Sequence, residues 1–110
     1  MAASSSDLLQ GTLDLLILRV LALGPRHGWA LSQRIGEISG QALRVNQGSL
    51  YPALHRLEGK GLLDASWETS ETFRRVKTYS LTAAGKRALG RETKAWLQYA
   101  NAVHLILAST

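Results

Sequence analysis

Hydrophobic residues recur at helical spacing in three successive segments of the 110-residue chain. The first predicted helix begins at a capping-box pair, Asp7 and Gln10, and stops before Gly24-Pro25, because proline cannot continue a helix. Its apolar residues lie on nearly every side, with Asp14 and Arg19 among the few polar positions. A helix of this kind needs two buried contacts, and we expect a second subunit to supply one of them.

The second predicted helix begins near His27-Gly28 and ends at Ser39-Gly40. Its apolar stripe consists of Leu31, Ile35 and Ile38. After this helix, residues 43–45 form at most a very short strand. The segment therefore predicts one amphipathic helix and a turn.

The third predicted helix begins between Asn46 and Ser49, because both are good N-caps and Pro52 is tolerated only near a helix start. Gly59 and Gly61 mark its far end. One face carries Leu50, Leu54 and Leu57. The opposite face is thin and basic, with Gly48, Pro52, His55, Arg56 and Gly59, flanked by Ser49 and Tyr51. Arg56 can bond to phosphate or guanine, although without the basic hairpin an ordinary solvated face is the favoured explanation of this pattern.

Beyond Gly61 the hydrophobic period changes to two, which predicts two strands joined by a polar loop. The alternating positions are Leu63, Ala65 and Trp67 on the first strand and Lys77, Tyr79 and Leu81 on the second. Arg74, Arg75 and Lys77 follow the loop and place three cations within four residues. Such a cluster suits a phosphate backbone, while an edge strand protected by charge explains it nearly as well in isolation.

A final helix is predicted from Thr82, with Leu89, Trp96 and Val103 repeating every seven residues. Fewer than three heptads cannot form a free-standing coiled coil, so we expect this helix to pack on the first helix of a partner subunit. The candidate dimer-interface residues are Leu15, Leu18, Leu89, Trp96, Ala100, Val103 and Leu107.

Three helices followed by a hairpin are the element order of a winged helix-turn-helix, in which the third helix enters the major groove. We therefore expect a mainly α fold with a small β-hairpin, completed by a C-terminal dimerisation helix. The predicted organisation is a disordered tail over residues 1–6, a winged helix-turn-helix domain over 7–81 and the dimerisation helix over 82–110.

The composition of the chain limits the range of possible partners and sites further. The formal net charge of +5 favours polyanionic partners, and the absence of cysteine excludes disulfides and thiolate metal sites. No apolar run is long enough to span a membrane, and the polar start lacks the features of a signal peptide, so we expect a cytoplasmic protein.

No enzyme motif is present in the sequence, such as a nucleophile elbow, a phosphate-binding loop or a dinucleotide fingerprint. The three histidines, His27, His55 and His104, are too far apart in sequence to form a typical metal motif. We therefore expect neither catalysis nor a cofactor. The remaining rival is a winged-helix protein-interaction module that does not bind DNA, because a fold alone does not fix function.

Three segments resemble the successive signature blocks of the PadR family of regulators: LLQGTLDLLILRVLALGPRHGWALSQRI, VNQGSLYPALHRLEGKGLL and RRVKTYSLTAAGKRAL. The resemblance spans roughly residues 7–97 and implies a bacterial dimeric repressor of double-stranded DNA operators. With the basic face of the third helix, it gives these candidate DNA-binding residues: Gln47, Ser49, Tyr51, Pro52, His55, Arg56, Arg74, Arg75 and Lys77.

The resemblance gives one further expectation, and the sequence departs from the family pattern at two positions. Some PadR relatives bind flat aromatic compounds in the centre of the dimer, which makes Trp96 a candidate effector contact beside the simpler interpretation of plain packing. The sequence departs from the family pattern at Phe73, a wing position that is usually polar, and at Thr78, which is often aromatic.

Overall fold

A computed structural model describes residues 12–110 of the chain. Its helices are α1 (Leu13–Ala22), α2 (Gly28–Ile38), α3 (Gln47–Gly59) and α4 (Ala83–Leu107), and its strands are β1 (Arg26–His27), β2 (Leu63–Thr69) and β3 (Arg75–Leu81). The predicted helix start at Asp7 and the predicted tail lie outside the described residues. The expected mainly helical fold with a small β-hairpin is confirmed.

The three strands form an antiparallel sheet in the order β1-β3-β2. The hairpin pairs Leu63 with Leu81 at its base and Thr69 with Arg75 near its tip. The two-residue β1 was not predicted. Residues 43–45, for which at most a very short strand was predicted, form none. Two residues are too few to show a hydrophobic period, and this strand is defined only by its pairing with β3.

The core lies between α1, α2, α3 and the base of the hairpin. Its buried hydrophobic residues are Leu13, Ile17, Leu18, Val20, Leu21, Leu31, Ile35, Leu50, Ala53, Leu54, Leu57, Leu63, Tyr79 and Ala88. The predicted stripe of α3 is therefore buried as expected.

Two positions differ from the sequence-based expectation. Ile38 is 55% exposed, because it is the last residue of α2 and the chain turns away there through Ser39 and Gly40. Leu18 is only 1% exposed within the protomer, so it is a core residue and not an available dimer contact. In residues 12–110, no helix combines the length and the hydropathy needed to cross a membrane.

Candidate nucleic-acid interface

Helix α3 begins after Asn46, whose side chain can accept a hydrogen bond from an amide of the first turn. The side chain of Asn46 accepts a hydrogen bond from the amide of Ser49 at 2.8 Å, which caps the helix. Four apolar residues then point into the core, and the opposite face stays in solvent. That solvent face carries Gln47, Tyr51, Pro52, His55 and Arg56, whereas Ser49 is half-buried.

The ring of Tyr51 rests against Gly28 at the start of α2. A Cβ atom at Gly28 would lie 2.8 Å from the Cε1 atom of Tyr51, so only glycine leaves room for this ring. The contact holds the phenol against the start of α2, while Tyr51 stays 42% exposed.

Arg56 has a partner that its sequence context does not reveal. Its guanidinium donates a hydrogen bond to the carboxylate of Asp14 on α1, and both side chains remain partly exposed. The ion pair ties the outer face of α3 to α1, so Arg56 reaches DNA only by leaving this partner or by sharing it.

The wing is the hairpin of β2 and β3 together with residues 70–74 at its tip. Arg74 and Arg75 are both exposed. The Cζ atom of Arg75 lies 5.1 Å from the centroid of the Trp67 ring, a cation–π distance that holds the guanidinium on one side of the wing. Within residues 12–110, neither arginine forms an ion pair, so both are suited to phosphate contact.

Lys77 differs from the two arginines because it is engaged within the protomer. Its Nζ atom donates to the Oε1 atom of Glu58 on α3 at 3.1 Å and lies 5.4 Å from the centroid of the Tyr79 ring. The hydrogen bond to Glu58 raises the pKa of Lys77, and burial raises the pKa of the Tyr79 phenol. Lys77 therefore fixes the wing to α3, a role distinct from the predicted phosphate contact.

A cleft of about 340 Å³ lies where α2, α3 and the wing meet. Its lining residues are His27, Gly28, Trp29, Tyr51, Trp67, Arg75, Val76, Lys77 and Tyr79. The exposed face of α3 and the wing thus form one continuous surface.

Comparison with known proteins identifies the type of protein to which this surface belongs. Residues 17–91 match the family described as the transcriptional regulator PadR-like family. A transcriptional regulator of Mycobacterium tuberculosis is 39% identical over 77 residues, which are 70% of this chain and 68% of that protein. A solved PadR family transcriptional regulator from Eggerthella lenta is 29% identical, has a TM-score of 0.82, and is matched over 94% of this chain and 88% of its own.

The chain belongs to the PadR-like family of transcriptional regulators. An uncharacterized protein of Lysinibacillus sphaericus is also similar, with 28% identity over 102 residues, which are 93% of this chain and 94% of that protein. The PadR-like protein is accordingly a DNA-binding transcriptional regulator, and its family consists of regulators and not of enzymes. Within residues 12–110, no three potential metal-ligating side chains cluster together.

The PadR-like match ends at Arg91, before the second half of α4. Of the candidate interface residues, Leu89 and Ala100 are half-buried, whereas Trp96, Val103 and Leu107 are exposed in the protomer. Other large apolar residues of this half are also exposed: Leu97, Tyr99, Leu105 and Ile106.

An apolar cavity of about 520 Å³ lies between α1 and α4 beside Trp96. Leu15, Leu16 and Leu43 line it together with Thr12, Arg19, Thr93 and Trp96. Helix α4 therefore packs on α1 of its own protomer. The prediction had placed this contact on the first helix of a partner subunit.

Sequence reasoning missed four residues that shape the PadR-like surface: Asp14, Gly28, Glu58 and Trp67. Asp14 and Glu58 form ion pairs with residues 42 and 19 positions away, respectively. Their neighbours in sequence give no signal for these contacts. Trp67 was assigned to the alternation of β2 but not to the support of Arg75, which follows from the register Trp67↔Lys77.

Proposed function

We propose that this PadR-like protein is a homodimeric repressor that binds a pseudo-palindromic operator in the cytoplasm. Helix α3 of each subunit enters a major groove, and the wing contacts the adjacent backbone. The observation that supports this arrangement is the Lys77–Glu58 ion pair, which joins the wing and α3 into one surface with two exposed arginines.

The residues of this surface divide into two roles. Gln47 and His55 are exposed on α3 and offer hydrogen bonds to base edges. Tyr51, whose ring packs against Gly28, positions the helix on the DNA backbone. Arg74 and Arg75 contact phosphates and supply affinity that does not depend on sequence. Two symmetric copies of α3 require half-sites about one helical turn or slightly more apart.

The test begins with a duplex selected from a random-sequence library by the wild-type dimer. Affinity for this duplex and for an unrelated duplex is then measured across a salt series. We expect His55→Ala to weaken the selected duplex by about 1–3 kcal/mol and the unrelated one little, because it removes a base contact. The double variant Arg74→Ala, Arg75→Ala should weaken both duplexes and reduce the salt slope by about two units, because two phosphate contacts are lost.

Lys94→Ala is the matched control, because it removes an exposed cation from α4 outside the proposed surface. It should leave both affinities close to wild type. If the library yields no preferred duplex, or if the arginine variants bind as wild type at every salt concentration, the rival interpretation as a protein-interaction module replaces this proposal.

We also propose that the cavity beside Trp96 binds a flat aromatic effector that regulates the protein. An aromatic compound that binds there should quench tryptophan fluorescence, and Trp96→Ala should lose most of that quenching. Unchanged affinity of the compound for Trp96→Ala would exclude this site. Failure of all aromatic compounds tested would leave packing as the role of Trp96.

A further inference from the structure

The tip of the wing is a three-residue loop with a defined hydrogen-bonding pattern. The amide of Ser70 donates to the carbonyl of Arg74 at 2.7 Å, and the amide of Phe73 donates to the carbonyl of Ser70 at 2.9 Å. The loop residues are therefore 71–73, with Phe73 in the last position. Phe73 has a φ of 62°, in the left-handed region of backbone conformation.

Phenylalanine is an unfavourable residue for this position. Three-residue hairpin loops prefer glycine at the left-handed position, since a Cβ atom crowds the neighbouring carbonyl there. The surrounding loop nevertheless holds the conformation, because the Ser70 hydroxyl lies 3.0 Å from the Thr72 hydroxyl oxygen and accepts a hydrogen bond from the amide of Arg74. These hydrogen bonds thus hold Phe73 in the left-handed conformation, although a phenylalanine side chain disfavours it.

The Phe73 ring contributes no burial to the fold of the protomer. It is 89% exposed, more than any other exposed large hydrophobic residue in the described part of the chain. Folding therefore gains almost no apolar burial from this ring, while the backbone retains its unfavourable conformation. A residue that breaks a local rule without stabilising the protomer is best explained by an external contact.

The neighbouring charges indicate the nature of that contact. Phe73 is followed directly by Arg74 and Arg75, two exposed cations, and Arg75 is held over Trp67. An apolar ring beside two guanidinium groups matches the minor groove of DNA, whose narrow segments attract arginine and whose base steps admit apolar wedges.

We propose that Phe73 enters the minor groove next to the major groove read by α3 and makes the wing tip a determinant of operator choice. This inference rests on the proposed DNA-binding function. The ring contacts deoxyribose walls and favours flexible base steps, which adds a preference at positions that α3 does not touch. Arg74 and Arg75, which follow Phe73 in the chain, contact the adjacent phosphates.

The decisive variant is Phe73→Gly, because it removes the ring and relieves the backbone at the same time. We expect its thermal stability to equal or exceed that of wild type, whereas its affinity for the selected duplex falls about tenfold. Its salt slope should be unchanged, because an apolar contact releases no counterions. Phe73→Leu retains an apolar side chain and should recover most of the affinity.

Two chemical probes locate the contact on the duplex. Hydroxyl radicals attack minor-groove sugars, and the sugars flanking each half-site should be protected by wild type but not by Phe73→Gly. Methylation of guanine N7 in the major groove should be blocked equally by both proteins. Wild-type affinity or an unchanged sugar footprint for Phe73→Gly would overturn this inference, whereas failure of wild type to select any duplex would overturn the proposed function itself.

Discussion

Gly85 lies where the first turn of α4 meets the end of the wing. The side chain of Thr82 caps this turn by accepting from the amide of Gly85 at 2.9 Å, and its hydroxyl donates to the carbonyl of Gly61 at 2.8 Å. A Cβ atom at Gly85 would overlap the carbonyl oxygen of Leu62 and the side chain of Leu81. This one position therefore sets how closely α4 approaches the base of the sheet.

We expect Gly85→Ala to lower the free energy of unfolding by about 1–3 kcal/mol, because the backbone of residue 62 must move away. Gly90→Ala is the matched control on the same helix, since a Cβ atom there meets nothing within 4 Å. That control should raise the free energy of unfolding by about 0.5–1 kcal/mol through helix propensity. Urea denaturation at one protein concentration measures both, and equal stability of the two variants would disprove the close approach.

The Arg56–Asp14 ion pair makes a second prediction at the residue scale. If Arg56 contacts DNA in the complex, Asp14→Asn frees the guanidinium and should maintain or increase affinity for the selected duplex. Arg56→Ala should reduce that affinity by about 1–3 kcal/mol. Wild-type affinity in both variants, together with a lower free energy of unfolding in each, would assign the pair to the fold alone.

At the scale of elements, the helices were the most predictable part of the fold. The N-cap Asn46 and the leucine stripe of α3 are local features, and both occur as the sequence indicated. The two-residue β1 and the Lys77–Glu58 contact were not predictable, because each depends on which elements meet in three dimensions. The candidate residues on α3 could be chosen by face, but their ion-pair partners could not.

The Lys77–Glu58 contact links the wing to α3 and predicts how stability depends on pH. The pKa of Lys77 is raised by its hydrogen bond to Glu58, and that of Tyr79 is raised by burial. Both groups therefore hold their protons more tightly in the folded protein. Their contribution to stability is complete below their ordinary pKa values of about 10. It is lost as the pH rises through their higher pKa values in the folded protein.

We expect the free energy of unfolding to fall as the pH is raised above about 10 and to fall less in Glu58→Gln, which removes the carboxylate that raises the pKa of Lys77. Denaturant titrations at several values between about pH 8 and pH 11 measure this difference. Parallel pH curves for wild type and Glu58→Gln would show that the contact does not link the two elements.

At the scale of the whole molecule, α4 extends beyond the part of the fold that covers it. Its 25 residues span about 37 Å at the rise of an α-helix, yet only Gly85 and Ala88 are fully buried. The second half carries Trp96, Tyr99 and Val103 in partial or full exposure. In the proposed homodimer, the second subunit covers these exposed apolar side chains.

The last prediction tests that interface by placing one charge on each side of the same helix. Val103→Glu puts a carboxylate on the apolar face and should yield monomer or aggregate, because an unpaired charge at an interface core is strongly unfavourable. Asn101→Glu adds the same charge about 160° around the helix and should remain dimeric, since two residues advance a helix by roughly 200°. Light scattering across a concentration series gives the oligomeric state, and circular dichroism confirms folding. Because two subunits must present α3 to successive grooves, Val103→Glu should also lose preference for the palindromic duplex while keeping weak binding to a single half-site. A Val103→Glu protein that stays dimeric would move the interface to another surface of the molecule.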